Sequence, residues 1–302
     1  MKHFLKLLDW TPEEIEDTLE LADKLKAEKK AGIKHHILEG KTLGMIFQKS
    51  STRTRVSFEV GMYDLGGSAL FLSSRDLQIG RGEPVQDTAR VLSRFLDGIM
   101  IRTFEQKEVE DLARFGSIPV INGLTDFCHP CQVMADLQTI REYKGKNLKG
   151  LKLCYIGDGN NMANSLIVGC IKMGMRVAIA CPKGYEPDAS VVEWANANGD
   201  LLVTEDIIEA CTGADVLYTD VWASMGQESE AKERQQIFKS YQINDEAVKA
   251  SNEGVMVLHC LPAHRGEEIT EEVLEAHAAE IFDEAENRLH AQKAVLVKCF
   301  TE

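Results

Sequence analysis

The stretch Leu43-Gly44-Met45-Ile46-Phe47-Gln48-Lys49-Ser50-Ser51-Thr52-Arg53-Thr54-Arg55 leads into a helical pattern formed by Val56, Val60 and Tyr63. The apolar run predicts a buried strand, and the spacing that follows predicts a helix. A helix start presents backbone N–H groups and the positive end of the helix dipole. At this helix start, residues 50–55 also supply four hydroxyl and two guanidinium side chains. We therefore expect this junction to bind a phosphate, although an N-terminal cap followed by two solvated arginines is the simpler alternative.

The alternation of short apolar runs and helical patterns continues along the whole chain. It predicts an α/β protein with two doubly wound domains, each a mainly parallel sheet flanked by helices. The polar, glycine-bounded segment 144–150 predicts the hinge between them. We expect the first domain to span 1–144, the second to span 150–283, and a C-terminal helix within 284–302 to pack back on the first. The predicted strands are 42–47, 68–73, 97–102, 118–122, 151–156, 176–180, 201–204, 215–219 and 255–259.

The composition narrows the class of function. The chain has 302 residues and a net charge of −14, which argues against nucleic acid or an anionic membrane as a main partner. Its eight cysteines are scattered, which is typical of buried thiols in a reducing compartment and not of a disulfide framework. The N-terminus has no signal-peptide pattern, and no apolar run is long enough to span a membrane. We expect a cytoplasmic protein.

Polar residues follow the predicted strands repeatedly. Ligands of open α/β sheets bind beyond the carboxyl ends of the strands, so these residues are candidates for a site. They comprise the junction at 50–55, Arg102, the segment 126–132, the segment 157–161, the segment 220–226 and the segment 259–262.

His129-Pro130-Cys131-Gln132 lies at a predicted helix start. His129 could donate a hydrogen bond to a carbonyl oxygen, and Gln132 could accept one from an amide. A capping histidine and a surface glutamine are the alternatives. Zinc binding by Cys128, His129 and Cys131 is disfavoured, because no second ligand pair with suitable spacing is present.

Gly157-Asp158-Gly159-Asn160-Asn161 resembles a dinucleotide-binding turn. Met162 takes the place of the third glycine, so the pattern is incomplete and a nicotinamide-dependent oxidoreductase is disfavoured. The adjacent asparagines instead suit the carboxylate or ammonium group of an amino acid.

Two later segments offer further polar groups. Asp220 with Ser224-Met225-Gly226 could bind an amino acid, although Asp220 alone could be a helix cap. Within His259-Cys260-Leu261-Pro262, a catalytic thiolate and a buried structural cysteine are equally compatible with the residues. The loop Gln78–Pro84 could reach a neighbouring subunit or be a solvent-exposed connection.

Taken in order, these segments resemble the aspartate/ornithine carbamoyltransferase family over nearly the whole chain. Ser51-Thr52-Arg53-Thr54-Arg55 and His129-Pro130-x-Gln132 are similar to motifs shared by the family. Asp220-x-x-x-Ser224-Met225-Gly226 and His259-Cys260-Leu261-Pro262 are similar to those of its ornithine branch. Cys131 is a departure, since threonine is more familiar there, but its side chain need not touch a ligand.

The resemblance implies transfer of the carbamoyl group of carbamoyl phosphate to the δ-amine of L-ornithine, giving L-citrulline and phosphate, in arginine biosynthesis (the urea cycle included) or arginine catabolism. No metal and no organic cofactor are implied. A homotrimer or a multiple of trimers is implied, with Gln78 entering the site of a neighbouring subunit, and domain closure would exclude water. The implied carbamoyl-phosphate ligands are Ser51, Thr52, Arg53, Thr54, Gln78, Arg102, His129, Gln132, Cys260, Leu261 and Arg288. The implied ornithine ligands are Asn161, Asp220, Ser224 and Met225, and the implied catalytic residues are Arg102, His129, Cys260 and Asp220.

Two further alternatives remain open at this point. A carbamoyltransferase for another amine, such as putrescine or an acylated ornithine, would share most of these motifs. A non-catalytic protein that only binds an amino acid or phosphate would share some of them, but the joint presence of His129, Gln132 and Cys260 disfavours it.

Overall fold

Apolar strands and amphipathic helices alternate along the chain, and in the computed structural model they form two units. The structure is described for residues 1–223 and 230–302. One unit comprises Met1–Ala135 and Asn287–Glu302, and the other comprises Asp136–Glu286. The two are treated separately below.

The sheet of the first unit is parallel, with strand order β2-β1-β3-β4 in the described part of the chain. β2 pairs with one side of β1, and β3 pairs with its other side. The strand order therefore reverses between β1 and β3. The elements are α1 (Pro12–Lys30), β1 (Thr42–Phe47), α2 (Thr52–Asp64), β2 (Ser68–Ser73), α3 (Val85–Leu92), β3 (Gly98–Arg102), α4 (Gln106–Phe115), β4 (Val120–Leu124) and the first residues of α5 (Pro130–Lys144).

The sheet of the second unit is also parallel, with order β7-β6-β5-β8-β9 among the described residues. Its order reverses between β5 and β8. The elements are β5 (Lys152–Ile156), α6 (Asn161–Lys172), β6 (Arg176–Ala180), α7 (Ala189–Asn198), β7 (Leu201–Thr204), α8 (Ile207–Cys211), β8 (Val216–Thr219), α9 (Ala231–Ile237), α10 (Asp245–Ala250), β9 (Met256–His259), α11 (Glu271–Ala276) and the first residues of α12 (Ala278–Thr301).

The predicted fold class of two α/β domains with parallel sheets is confirmed, and individual boundaries differ. β4 begins at Val120 instead of residue 118, because Pro119 has no N–H group to contribute to a ladder. The last helix begins at Ala278, about two turns before the predicted start. The compact units divide inside α5 and inside α12, whereas the hinge at 144–150 remains a prediction.

Each reversal of strand order creates a crevice at the carboxyl ends of the two strands beside it. The crevices lie beyond β1 and β3 in the first unit and beyond β5 and β8 in the second. Helices of a length and apolarity that could cross a bilayer are absent from the described residues.

Candidate active site

The start of α2 forms one wall of the first crevice. The Oγ of Ser51 accepts a hydrogen bond from the N–H of Thr54 at 3.2 Å, which caps the helix. The thirteen-residue helix therefore directs the positive end of its dipole toward this edge of the sheet. Thr54 is fully buried here, whereas Thr52 is exposed.

Guanidinium groups surround His129, which directly precedes α5. His129 is buried, and its pKa lies well below the ordinary value because of burial and the nearby charges of Arg288, Arg102 and Arg53. The imidazole is therefore neutral at physiological pH. A neutral imidazole among three cations can donate a hydrogen bond to a carbonyl oxygen, while the cations attract an anion.

Arg288 connects three helices of this unit. Its Nη1 donates to the Oε1 of Gln132 at 2.6 Å, and its Nη2 donates to the Oγ1 of Thr54 at 3.2 Å. Its Nε donates to the Oε1 of Gln292 at 2.9 Å, one turn further along α12. The guanidinium thus fixes the orientation of the Gln132 amide and of the Thr54 hydroxyl.

Arg53 and Arg55 have different surroundings, although the sequence pattern groups them. Arg53 is close enough to His129 to lower its pKa. Arg55 is exposed, pairs with Glu59 at 3.0 Å and lies over the ring of Phe71. Because positions two apart on a helix face different directions, only Arg53 belongs to the cluster.

The cysteines that flank His129 are neutral thiols. Burial raises the pKa of both Cys128 and Cys131 to about 12. The thiol of Cys131 donates to the carbonyl oxygen of Asn122 at 3.2 Å, and that of Cys128 lies 3.6 Å from the carbonyl oxygen of Leu5. Zinc binds thiolates, so these contacts do not favour the zinc alternative. The two cysteines pack the loop that presents His129.

In the second unit, Asp220 follows β8 and gathers polar groups from two neighbouring strands. Its Oδ1 accepts hydrogen bonds from the N–H of Val221 at 2.8 Å and from the thiol of Cys260 at 3.1 Å. Its Oδ2 accepts from the Nδ2 of Asn160 at 3.4 Å, and Asn160 also caps α6. Asn161 is the first residue of α6 and is half-buried.

The Cys260 side chain is a protonated thiol in this arrangement. Burial raises its pKa well above the ordinary value, and the neighbouring carboxylates of Asp220 and Glu284 raise it further. A thiol so placed is a hydrogen-bond donor to Asp220. This arrangement favours a hydrogen-bonding thiol over a thiolate.

The turn after β9 is held by the imidazole of His259. Its Nδ1 accepts the N–H of Leu261 at 2.9 Å, so the proton lies on Nε2, which donates to the Oε1 of the buried Glu268 at 3.0 Å. Leu261 has a left-handed backbone with φ of 56° and precedes a cis bond to Pro262. The hydrogen bond from the Leu261 N–H to the His259 imidazole helps to hold a backbone conformation that a leucine rarely adopts.

Arg234 of α9 joins the two segments beyond β5 and β8. Its Nη1 donates to the Oδ2 of Asp158 at 2.7 Å and to the carbonyl oxygen of Trp222 at 3.0 Å. The sequence patterns did not single out Arg234, Glu268 or Glu284, because each lies in an ordinary-looking charged helix or turn far along the chain from its partners.

One other predicted residue, Gln78, stands apart from these clusters. Gln78 begins a short 3₁₀ helix, Gln78–Arg81, and is exposed. Ser224 and Met225 lie outside the described residues.

Comparison with known proteins identifies the family. The carbamoyl-P binding domain of the aspartate/ornithine carbamoyltransferases matches residues 2–142, and the Asp/Orn binding domain matches residues 149–299. The chain belongs to the aspartate/ornithine carbamoyltransferase family. It is thus a carbamoyltransferase, and both of the family's domains are present.

Individual family members are similar over almost their whole length. The chain is 60% identical over 296 residues to an ornithine carbamoyltransferase of Syntrophotalea carbinolica, covering 98% of each chain. It is 56% identical over 297 residues to that of Thermococcus kodakarensis, covering 97% of this chain and 94% of the other. The solved ornithine carbamoyltransferase of Pyrococcus furiosus superimposes with a TM-score of 0.93 at 54% identity, covering 98% and 96%.

The neutral state of His129 makes the stability of this carbamoyltransferase depend on pH. The unfolded chain binds a proton at this histidine below its ordinary pKa, while the folded protein does not, so stability is lost as the pH falls. From about pH 7.5 to about pH 5.5 we expect a loss of about 1.4 kcal/mol, measured by urea unfolding in phosphate-free buffer. His129→Asn should remove this contribution, and His264→Asn, at an exposed histidine, should retain it. Equal pH dependence in wild type and His129→Asn would contradict the assignment.

Arg234→Met should destabilise the protein by about 3 kcal/mol, because it leaves the carboxylate of Asp158 buried without its cation. The matched control is Arg265→Met, which removes an arginine paired with Glu275 at 2.6 Å on the surface. That change should cost less than about 1 kcal/mol. Both are measured by urea unfolding, and similar losses in the two variants would refute the bridging role of Arg234.

Proposed function

We propose that the chain transfers the carbamoyl group of carbamoyl phosphate to the δ-amine of L-ornithine, producing L-citrulline and phosphate. The observation that carries this proposal is the pair of clusters at the two reversals of strand order. The first is cationic around His129, and the second is built on the carboxylate of Asp220. An acyl phosphate suits the first, and an amine suits the second. The relatives named above are themselves called ornithine carbamoyltransferases.

The first cluster binds carbamoyl phosphate. Ser51, Thr52, Arg53 and Thr54 hold the phosphate at the start of α2, where the dipole and the guanidinium favour negative charge. Arg288 supports them through its bond to Thr54. Gln132, oriented by Arg288, binds the carbamoyl amino group.

The transition state carries negative charge on the carbamoyl oxygen. Arg102, His129 and Thr54 donate to this oxyanion, and one such donor is typically worth ~3 kcal/mol. The neutral imidazole of His129 donates without placing a further charge beside the arginines. As the neutral amine nitrogen bonds to the carbamoyl carbon, the bond from this carbon to the phosphate oxygen breaks. Phosphate leaves with the electron pair and takes up the second proton that the nitrogen loses.

The second cluster binds ornithine at its δ-amine. The free δ-amine has a pKa of about 10, so the nucleophile must lose a proton. Asp220 lies close to this amine, attracts its ammonium form and accepts the proton that the ammonium loses, and the thiol of Cys260 holds the carboxylate in place. Asn161 and, outside the described residues, Ser224 and Met225 bind the α-amino and α-carboxyl groups.

The same residues serve synthesis and cleavage of citrulline, because both directions pass through one transition state. The enzyme therefore acts in arginine biosynthesis or arginine catabolism, including urea-cycle chemistry. We place it in the cytoplasm, where reduced thiols are the rule. The described cysteines are all free, in agreement with this location.

Arg53→Gln should lower kcat at least about 100-fold, because it removes a charge that holds the leaving phosphate. The assay measures citrulline and phosphate from carbamoyl phosphate and ornithine. Arg55→Gln is the matched control in the same helix and should keep nearly full activity. Wild type should prefer ornithine to putrescine and N-acetylornithine. Absence of citrulline formation by wild type would refute the function, and full activity of Arg53→Gln would refute the role of Arg53.

A homotrimer, or a multiple of trimers, is supported by apolar side chains on neighbouring elements of the first unit. The edge strand β2 exposes Leu70 and Phe71, and α2 exposes Val56 and Tyr63. Exposed apolar groups grouped in this way are typical of subunit interfaces. Gln78 reaches a neighbouring subunit's site in this assembly.

Leu70→Asp should dissociate the assembly, because it places a charge within the buried interface. Sedimentation equilibrium of wild type should give three times the chain mass of 33.6 kDa, or a multiple of that value. The variant should sediment as a monomer and lose activity. Tyr143→Asp, at an exposed aromatic of the second unit, is the control and should leave the mass unchanged. A monomeric, active wild type would refute the assembly.

A further inference from the structure

Carboxylates of α12 line the open edge of β9. The strand lies at the end of its sheet, with β8 on its other side. The N–H of Val257 donates to the Oε2 of Glu280 at 2.8 Å, and the N–H of His259 donates to the Oε2 of Glu284 at 2.9 Å. Strand residues two apart are spaced by roughly 6.6 Å, and one helical turn of four residues rises roughly 6 Å. The two glutamates therefore take the place of a neighbouring strand.

Glu284 and Glu280 differ in their other hydrogen-bond partners. Its Oε1 accepts the hydroxyl of Tyr218, in β8, at 3.0 Å. One carboxyl group thus joins Tyr218, one residue before the end of β8, to His259, the last residue of β9. Asp220 lies two residues after Tyr218, and Cys260 directly follows His259. Glu280, by contrast, makes its other hydrogen bond with the side chain of His277.

The surroundings of Glu284 keep this carboxyl group rigid. Glu284, Asp136 and Tyr218 are fully buried. Burial and the adjoining Asp136 carboxyl raise the pKa of Glu284 well above its ordinary value, so the two acids hold a proton between them. Tyr218 from β8, the N–H of His259 and the thiol of Cys260 face this pair, which Asp136 of α5 forms with Glu284. A shared proton lets two acids lie together without the repulsion of two charges.

We propose that Glu284 is a positioning residue for carbamoyl transfer, fixing the ends of β8 and β9 so that Asp220 and Cys260 keep their relative placement. This inference rests on the proposed function, because it assumes that Asp220 and Cys260 act on the acceptor. The effect extends to Leu261, since its N–H is held by the imidazole of His259, whose backbone Glu284 anchors.

Glu284→Met tests the inference, with Glu280→Met as the matched control one turn away. Glu284→Met should lower kcat roughly 10- to 100-fold, because small displacements of reacting groups cost rates of this size. Glu280→Met removes an equivalent edge bond from Val257 and should change kcat less than about twofold. Affinity for inorganic phosphate, measured by calorimetry, should remain that of wild type in both variants. Its proposed ligands lie in the first unit.

Glu284→Gln should recover most of kcat. Its carbonyl oxygen can accept from the His259 N–H, and its amide can donate to Asp136. Tyr218→Phe, which removes only the hydroxyl, should lower kcat several-fold. This variant tests the positioning role if Glu284→Met does not fold. Wild-type kcat in folded Glu284→Met or in Tyr218→Phe would overturn the inference, as would equal losses in the Glu280 and Glu284 variants. Failure of wild type to form citrulline would instead refute the function itself.

Discussion

The guanidinium of Arg288 is the contact on which the first unit's site depends. It reaches Thr54 at the start of α2, Gln132 in α5 and Gln292 within α12, so three helices from distant parts of the chain meet at one buried cation. A buried cation is costly unless its hydrogen bonds are satisfied. Burial lowers the pKa of His129, and the same charge, with those of Arg102 and Arg53, lowers it further and keeps the imidazole neutral. The cations that attract an anion therefore also help to keep the imidazole neutral.

The second unit is organised around carboxyl groups. Asp158 is paired with Arg234, Glu268 accepts a hydrogen bond from the neutral imidazole of His259, and Glu284 shares a proton with Asp136. Asp220 accepts hydrogen bonds, including one from the thiol of Cys260. Its carboxylate lies beyond the carboxyl end of β8, where it would attract an amine substrate. The charge of each cluster is thus opposite to that of the group that it is proposed to bind.

The alternation of strands and helices, and the residues at the strand ends, were predictable from the sequence. Helix starts such as Ser51 and Asn160 have local signatures, because capping depends on neighbours in the chain. Positions after predicted strands singled out Arg102, His129 and Asp220, and the resemblance of ordered motifs to a family then implied their roles. The limits of α12 and the division of the units within helices were less predictable, because a continuous helix carries no local mark where its packing partner changes.

The sequence by itself determined the fold class, the strand-end positions of the polar residues and the family. Only the tertiary structure decided the protonation state of His129 and of Cys260, since both depend on burial and on charges from distant segments. It also separated Arg53 from Arg55 and brought Arg234, Glu268 and Glu284 to the strand ends. The reason is physical: periodicity and capping act over a few residues, whereas pKa values and buried hydrogen bonds depend on which distant residues the fold brings within a few ångströms.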